Sequence, residues 1–328
     1  MSEVLLELDN LKTYFTVTKG KVKAVDGVSF TLNRGESLGL VGESGCGKTT
    51  TALSIIKLLP KEGQIEGGRI LFEGKDITHQ TEDELSDFRW KQVSMIFQGA
   101  MNALNPVKRV CDQVAEPILL HEYTTKKQAM ERVKELFELV ELDTNLMYSY
   151  PHEFSGGMRQ RAIIAMALAC HPKLIIGDEP TTALDVMVQA QILDLINELR
   201  GKLNMSMLMI THDLSIISDT CDKVAIMYAG RIVEMGETKE VLSNSLHPYT
   251  KKLISAFPNI YAERKMVDSI PGDPPDLYTP PPGCRFAKRC HMVGGKEVCQ
   301  VEIHPPLIDY TGKGHYVACH LWRNPDEY

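Results

Sequence analysis

A glycine-rich run, Gly42, Glu43, Ser44, Gly45, Cys46, Gly47, Lys48 and Thr49, stands between the apolar segment 37–41 and a second apolar stretch that continues through Leu58 and stops before Pro60. That order predicts a buried strand, a phosphate-cradling turn and a helix. Glycines at this spacing let backbone N–H groups turn inward onto phosphate oxygens, and the helix start adds its dipole. Lys48 is placed to reach the β and γ phosphates and Thr49 to offer its hydroxyl to magnesium, with Thr50 completing the lining. A glycine-rich turn that binds nothing is the plain alternative, and companion residues decide between the two.

The first companion is an acidic pair. Leu174, Ile175, Ile176 and Gly177 carry Asp178 and Glu179 to a strand end before Pro180. Asp178 is suited to orient Mg2+ through its water, and Glu179 to take a proton from the water that attacks the γ-phosphorus. Around these stations the patterning is mixed. Segments 5–14 and 22–32 alternate and read as a small antiparallel sheet. Residues 105–152 turn helical, and over 126–142 apolar Met130, Val133, Leu136, Phe137 and Val140 recur at helix spacing. A helix over 158–169, strands at 174–176 and 206–210 and a helix over 186–203 between them imply a parallel core sheet, hence an α/β fold.

Composition narrows the partners. With 328 residues the chain is long enough for one large domain and an appendage. A net charge of -7 and a pI near 5.8 argue against nucleic acid, whose phosphates ask for a basic face. Glu3, Glu7 and Asp9 interrupt the apolar start, unlike a signal peptide, so the chain is expected in the cytoplasm. His171, Pro172 and Lys173 break the apolar region after Arg161, so any membrane role has to come through partner subunits. Past Pro258 prolines crowd and periodicity fades, which sets the expected division at 1–258 and 259–328.

Phe154, Ser155, Gly156, Gly157, Met158, Arg159 and Gln160 resemble the signature motif of ABC ATPases, with Phe154 and Met158 in place of the usual leucine and glutamine. The resemblance implies a P-loop NTPase fold with a parallel core sheet, an antiparallel β-subdomain and a helical subdomain over about 99–160. It implies ATP as the nucleotide, with Ser155 and the amides of Gly156 and Gly157 facing the γ-phosphate held by a second subunit. Further stations fall in the family's order. Gln98 resembles the glutamine that senses Mg2+ and attacking water, Thr182 to Asp185 the loop that crosses the dimer, and His212 the switch histidine. Phe15, with Tyr14 beside it, lies where the family stacks an aromatic ring on adenine. The runs from His247, from Ile270 and from Gly283 to Cys290 narrow the resemblance to the ATPases of oligopeptide and dipeptide permeases.

That branch implies an importer ATPase at the cytoplasmic face of the membrane. Its implied partners are a second, related ATPase, two transmembrane permease subunits and an extracellular or periplasmic binding protein. Cargo would be peptides, nickel or oligosaccharides. The competing class is an ABC-type ATPase of nucleic-acid repair or of the ribosome. The interval from Gly42 to Ser155 is too short for the long arms of the first, and a single head is unlike the paired heads of the second.

Four cysteines gather in the extension, Cys284, Cys290, Cys299 and Cys319, spaced C-x5-C-x8-C-x19-C. In a cytoplasmic chain such a group favours a metal site over disulfides. The spacing is too open for paired zinc knuckles and predicts a 4Fe-4S cluster that staples a core-poor segment, with zinc, aided by His291 or His320, as the second reading. Arg285, Lys288 and Arg289 flank Cys290 and are expected either to offset cluster charge or to form a solvated basic turn.

Overall fold

The computed structural model describes residues 3–99, 103–122, 124–182, 184–256, 270–292, 298–301 and 303–322, so the expected division at 258 lies outside the described residues. Contacts sort the chain into two compact units that interleave along the sequence: Met1–Leu5, Leu32–Ser37 and His79–Ile210 in one, Leu6–Thr31, Leu38–Thr78 and Thr211–Tyr328 in the other.

The second of these holds the antiparallel sheet. Its strands, numbered in chain order, are β1 (Val4–Val17), β2 (Gly20–Asn33), β4 (Gly63–Phe72) and β5 (Lys75–Asp76), arranged β2-β1-β4-β5. In β1 the buried residues Leu6 and Leu8 are followed by Leu11 and Thr13, a change of phase from even to odd positions. The register against β4 shifts between Asp9 and Lys12, at Asn10 with φ 51. A bulge there turns the next side chains back onto the core face.

In the same unit β3 (Ser37–Val41) is buried at every residue and runs parallel to β9 (Lys223–Tyr228). Burial on both faces explains why it reads as continuous apolar sequence rather than alternation. A tight hairpin at Ala229 and Gly230, both with positive φ, joins β9 to antiparallel β10 (Arg231–Glu237). The extension then adds β12 (Tyr316–Val317) to β10, and β11 (Ile308–Asp309) to β12. Helix α1 (Lys48–Ile55) ends earlier than the predicted Leu58, because the chain turns left-handed at Lys57 with φ 57.

The other unit carries β6 (Val93–Ile96), β7 (Leu174–Asp178) and β8 (Ser206–Thr211), paired in parallel in that order. The crossover from β7 to β8 is α6 (Val186–Leu203), with the predicted bounds, N-capped by Asp185 and stopped by Asn204 at φ 49. Its helical portion contains α3 (Val110–His121), α4 (Lys126–Leu139) and α5 (Gly156–Ala167). A capping box from Thr125 and Gln128 opens α4. Ala129 takes the inward place expected of Met130, and Glu141 at φ 56 stops the helix short of the predicted residue 142.

Candidate active site

The phosphate loop joins β3 to α1 as predicted. Two of its glycines are sterically obligatory: a Cβ on Gly42 would lie 2.1 Å from the Met227 carbonyl oxygen, and one on Gly47, at φ 107, 2.2 Å from that of Ala24. Lys48 is buried and donates to the carbonyls of Gly42 at 2.7 Å and Glu43 at 3.1 Å, its Nζ also lying 3.8 Å from the Cys46 sulfur. Ser44, Gly45 and Thr49 are exposed, Glu43 and Thr50 half-buried. A glycine-rich turn that leads into a helix start with Thr49 exposed is suited to triphosphate oxygens.

Two aromatic candidates in this unit part company. The Tyr14 hydroxyl donates to Asp26 at 2.6 Å, whereas Phe15 is half-buried with its ring over Gly63, where a Cβ would meet it at 2.9 Å. Tyr14 is committed to Asp26, whereas Phe15 packs beside Gly63. His212 is exposed directly after β8, and Asp213 caps α7 (Leu214–Thr220) by accepting from the Ser215 amide at 2.8 Å.

In the other unit Asp178 is buried and Glu179 half-buried. Oε2 of Glu179 accepts from Gln98 Nε2 at 2.9 Å and from the Thr182 hydroxyl at 3.0 Å. The Glu179 amide donates to the Ile210 carbonyl at 2.8 Å, with φ 48 at the residue itself. The structure therefore brings together Gln98 and Glu179, which lie 81 positions apart. Thr182 was expected only as part of a dimer-crossing loop, and its hold on Glu179 carried no sequence signal. Of that loop, Ala183 lies outside the described residues.

Ser155 caps α5 by accepting from the Met158 amide at 3.3 Å, so the helix begins at Gly156, two residues before the predicted start. Gly157 is required by packing, since a Cβ there would stand 2.8 Å from Val188 Cγ1 of α6. Gln160 is buried and donates to the Pro180 carbonyl, tying this helix to the acidic turn. The exposed Asp185 accepts from the Val188 amide at 3.0 Å.

The extension departs from expectation at its arginines. Arg285 and Arg289 are buried, not a solvated turn, and only Lys288 of the three is exposed. Arg285 pairs with Asp26 and donates to the Ala229 carbonyl. Arg289 forms a two-pronged pair with Glu43, at 2.7 and 2.9 Å. Burial opposes ionisation of Asp26, yet the Tyr14 hydroxyl, Arg231 and Arg285 outweigh it and hold that carboxyl below the usual range. Cys284, Cys299 and Cys319 are buried and Cys290 half-buried. Burial first, then the neighbouring thiols, push Cys284 and Cys319 up to about 12. Among the described residues no group of three or more His, Cys, Asp or Glu side chains is arranged to hold a metal ion.

Comparison with known proteins shows the family to which the chain belongs. The ABC transporter family model matches residues 25–182, and a model described as the oligopeptide/dipeptide transporter C-terminal region matches 233–299. The oligopeptide transport ATP-binding protein OppD of Salmonella typhimurium is 45% identical over 321 residues, covering 97% of this chain and 94% of that protein. The dipeptide transport ATP-binding protein DppD of Bacillus subtilis is 47% identical over 291 residues, 88% of this chain and 87% of that one. Among solved structures, cbiO1 of Clostridium perfringens, part of the ABC transporter complex cbiONQ, superposes with a TM-score of 0.65 at 27% identity, covering 74% of this chain and 92% of that one.

Proposed function

The chain belongs to the ATP-binding subunits of oligopeptide and dipeptide ABC transporters, and we propose that it hydrolyses ATP at the stations described above to drive uptake of short peptides. The observation that carries the chemistry is the pairing of Glu179 with Gln98 and Thr182. In this reading the Glu179 carboxylate takes the proton of the attacking water, Gln98 and Thr182 fix its orientation, and Lys48 meets the β and γ phosphates. Oxygen donors on Thr49, Asp178 and Gln98 suit Mg2+, which when bound neutralises phosphate charge. Phe15 stacks on adenine and His212 contacts the γ-phosphate.

Ser155, Gly156, Gly157 and Asp185 act across a pair of heads. Exposed Val186 and Met187 beside Asp185 support a facing partner surface. That partner is a second, related ATPase. The two heads drive two permease subunits at the cytoplasmic face of the membrane, and a binding protein delivers cargo. Among the described residues no helix is long and apolar enough to cross a membrane. Residues 1–258 form the ATPase domain and 259–328 the extension. Its four cysteines hold a 4Fe-4S cluster, zinc being the second reading; their gathering in one segment of the sequence supports the thiolate set.

Relatives that span nearly the whole chain are transport proteins, which weighs against a nucleic-acid or ribosomal role. Reconstitution of the intact complex in vesicles tests the reading. Peptide-loaded binding protein is expected to stimulate ATP hydrolysis, and the complex mass to show one copy of this chain and one of a distinct ATPase. Stimulation by DNA or ribosomes instead overturns the function, and two copies of this chain overturn the heterodimer.

A further inference from the structure

Glu43 is the acidic member of the phosphate loop, and the group it faces comes from 246 positions away. Both Glu43 oxygens accept from the guanidinium of Arg289, and the Glu43 amide donates to the Tyr249 hydroxyl at 3.1 Å. Arg289 has little slack. Its Nε donates to the Pro271 carbonyl at 2.9 Å and its other nitrogens to the Ile270 carbonyl and, at 3.2 Å, the Tyr228 hydroxyl. The side chain is therefore set by the backbone of the extension, and a planar fork held this way fixes its carboxylate in angle as well as distance.

A second tether holds the far end of the loop. The Cys46 carbonyl accepts from the Gly230 amide at 2.8 Å, and the Gly230 carbonyl accepts from the Asp26 amide at 2.8 Å. Arg285 closes this arrangement by binding the Ala229 carbonyl and the Asp26 carboxylate. Two arginines on one turn of the extension thus secure Glu43 and, through the hairpin, Cys46. Pro274, Pro275 and Leu277 line a small pocket with Glu43, Ser44 and Cys46, so the extension also borders this side of the loop.

We propose that Arg289 is a positioning residue of the nucleotide site, by which the cysteine-bearing extension holds the phosphate loop in its binding conformation through Glu43. The inference rests on residues 42–49 being the phosphate loop. Lys48 bonds the carbonyls of Gly42 and Glu43, so a shift of Glu43 is passed to the ammonium that meets the phosphates. A loop fixed beforehand loses little freedom on binding, so releasing it weakens nucleotide affinity more than it slows the chemistry.

The test uses the full-length chain in its transporter complex, with MgATP as ligand. Arg289→Met is expected to raise KM for ATP about tenfold and leave kcat at saturating ATP close to wild type, and Arg289→Lys to fall between, keeping charge without the fork. Glu43→Gln should reproduce the KM rise, and the double variant should be no worse than the weaker single. An unchanged KM in Glu43→Gln, additive effects in the double variant, or a kcat loss at constant KM each overturn the proposal. Should Arg289→Met fail to fold, Glu43→Gln carries the decision. Lys48→Ala separates the two levels: if it leaves MgATP binding intact, the phosphate-loop reading fails instead.

Discussion

At Glu179 the backbone enters the left-handed region, φ 48, a conformation that costs a residue with a Cβ about 1 kcal/mol. The hydrogen bond from the Glu179 amide to the Ile210 carbonyl and those its carboxylate accepts from Gln98 and Thr182 keep it there. Glutamine at this position retains size and hydrogen bonding but has no basic oxygen. Glu179→Gln is therefore expected to lower ATP turnover by about 10²–10⁴-fold while MgATP binding stays within a few-fold of wild type. Single-turnover hydrolysis and equilibrium binding measure the two, and normal hydrolysis would remove Glu179 from the role of base. Lys48, Asp178 and Glu179 were legible because strand, loop and helix order sets their place locally. Thr182 as a Glu179 partner and Arg289 as a Glu43 partner were not, since tertiary pairing leaves no periodic trace.

At the scale of elements, the clearest dependence on protonation is at α9 (Pro248–Ser255), whose N-cap is His247. Its Nδ1 accepts from the Tyr249 amide at 3.0 Å, which requires a neutral ring. Burial lowers the His247 pKa from 6.5 to about 4, although Glu234 opposes it; Glu234 also accepts from the His247 amide and from His315 Nε2 at 2.8 Å. The unfolded chain then binds a proton that the folded chain refuses. Stability is full above pH 6.5 and falls as pH drops towards 4, with about 2 kcal/mol lost by pH 5 from this group. His247→Asn keeps a cap acceptor without titrating, so urea midpoints at pH 7 and pH 5 should differ less in the variant than in wild type. An equal difference would detach the acid response from this histidine.

Between α5 and α6 the limit is steric. Gly157 faces Val188 Cγ1 at a distance that no ordinary Cβ tolerates. Gly157→Ala is expected to cost about 1–3 kcal/mol in thermal or urea unfolding. Val188→Ala in the same chain should restore most of it, and failure of that rescue would show that the glycine serves something other than this contact. The sequence did mark Gly157, but for its amide. The helix bounds it missed, at Lys57 and Glu141, are positions where a residue with a Cβ turns left-handed, which side-chain periodicity does not report.

At the scale of the whole molecule, the extension was expected to need a metal because its sequence is poor in apolar periodicity. Its described residues instead find their core against β9, β10 and α9. Phe286 packs against Tyr228 and Tyr249 at 5.2 and 5.4 Å, β12 joins β10, and Arg285 and Arg289 are spent on buried pairs. None of these anchors involves a thiol. Cys284, Cys299 and Cys319 are buried beside these anchors as small apolar groups. The Cys284 amide donates to the Cys299 carbonyl at 3.0 Å, and burial is the main cause that raises the Cys319 thiol. The 4Fe-4S cluster proposed for them is a reading of their spacing in the sequence, since among the described residues no group of three or more such side chains is arranged to hold a metal ion. Purified without oxygen, the intact chain is expected to be brown, with broad visible absorption and about four irons and four acid-labile sulfides. Because the anchors are independent of metal, removing the iron should bleach the protein while β12 stays protected from amide exchange. A colourless preparation with one zinc, or with no metal at all, would refute the cluster, and loss of protection at β12 on bleaching would show that the metal, rather than the aromatic and arginine contacts, holds the extension in place.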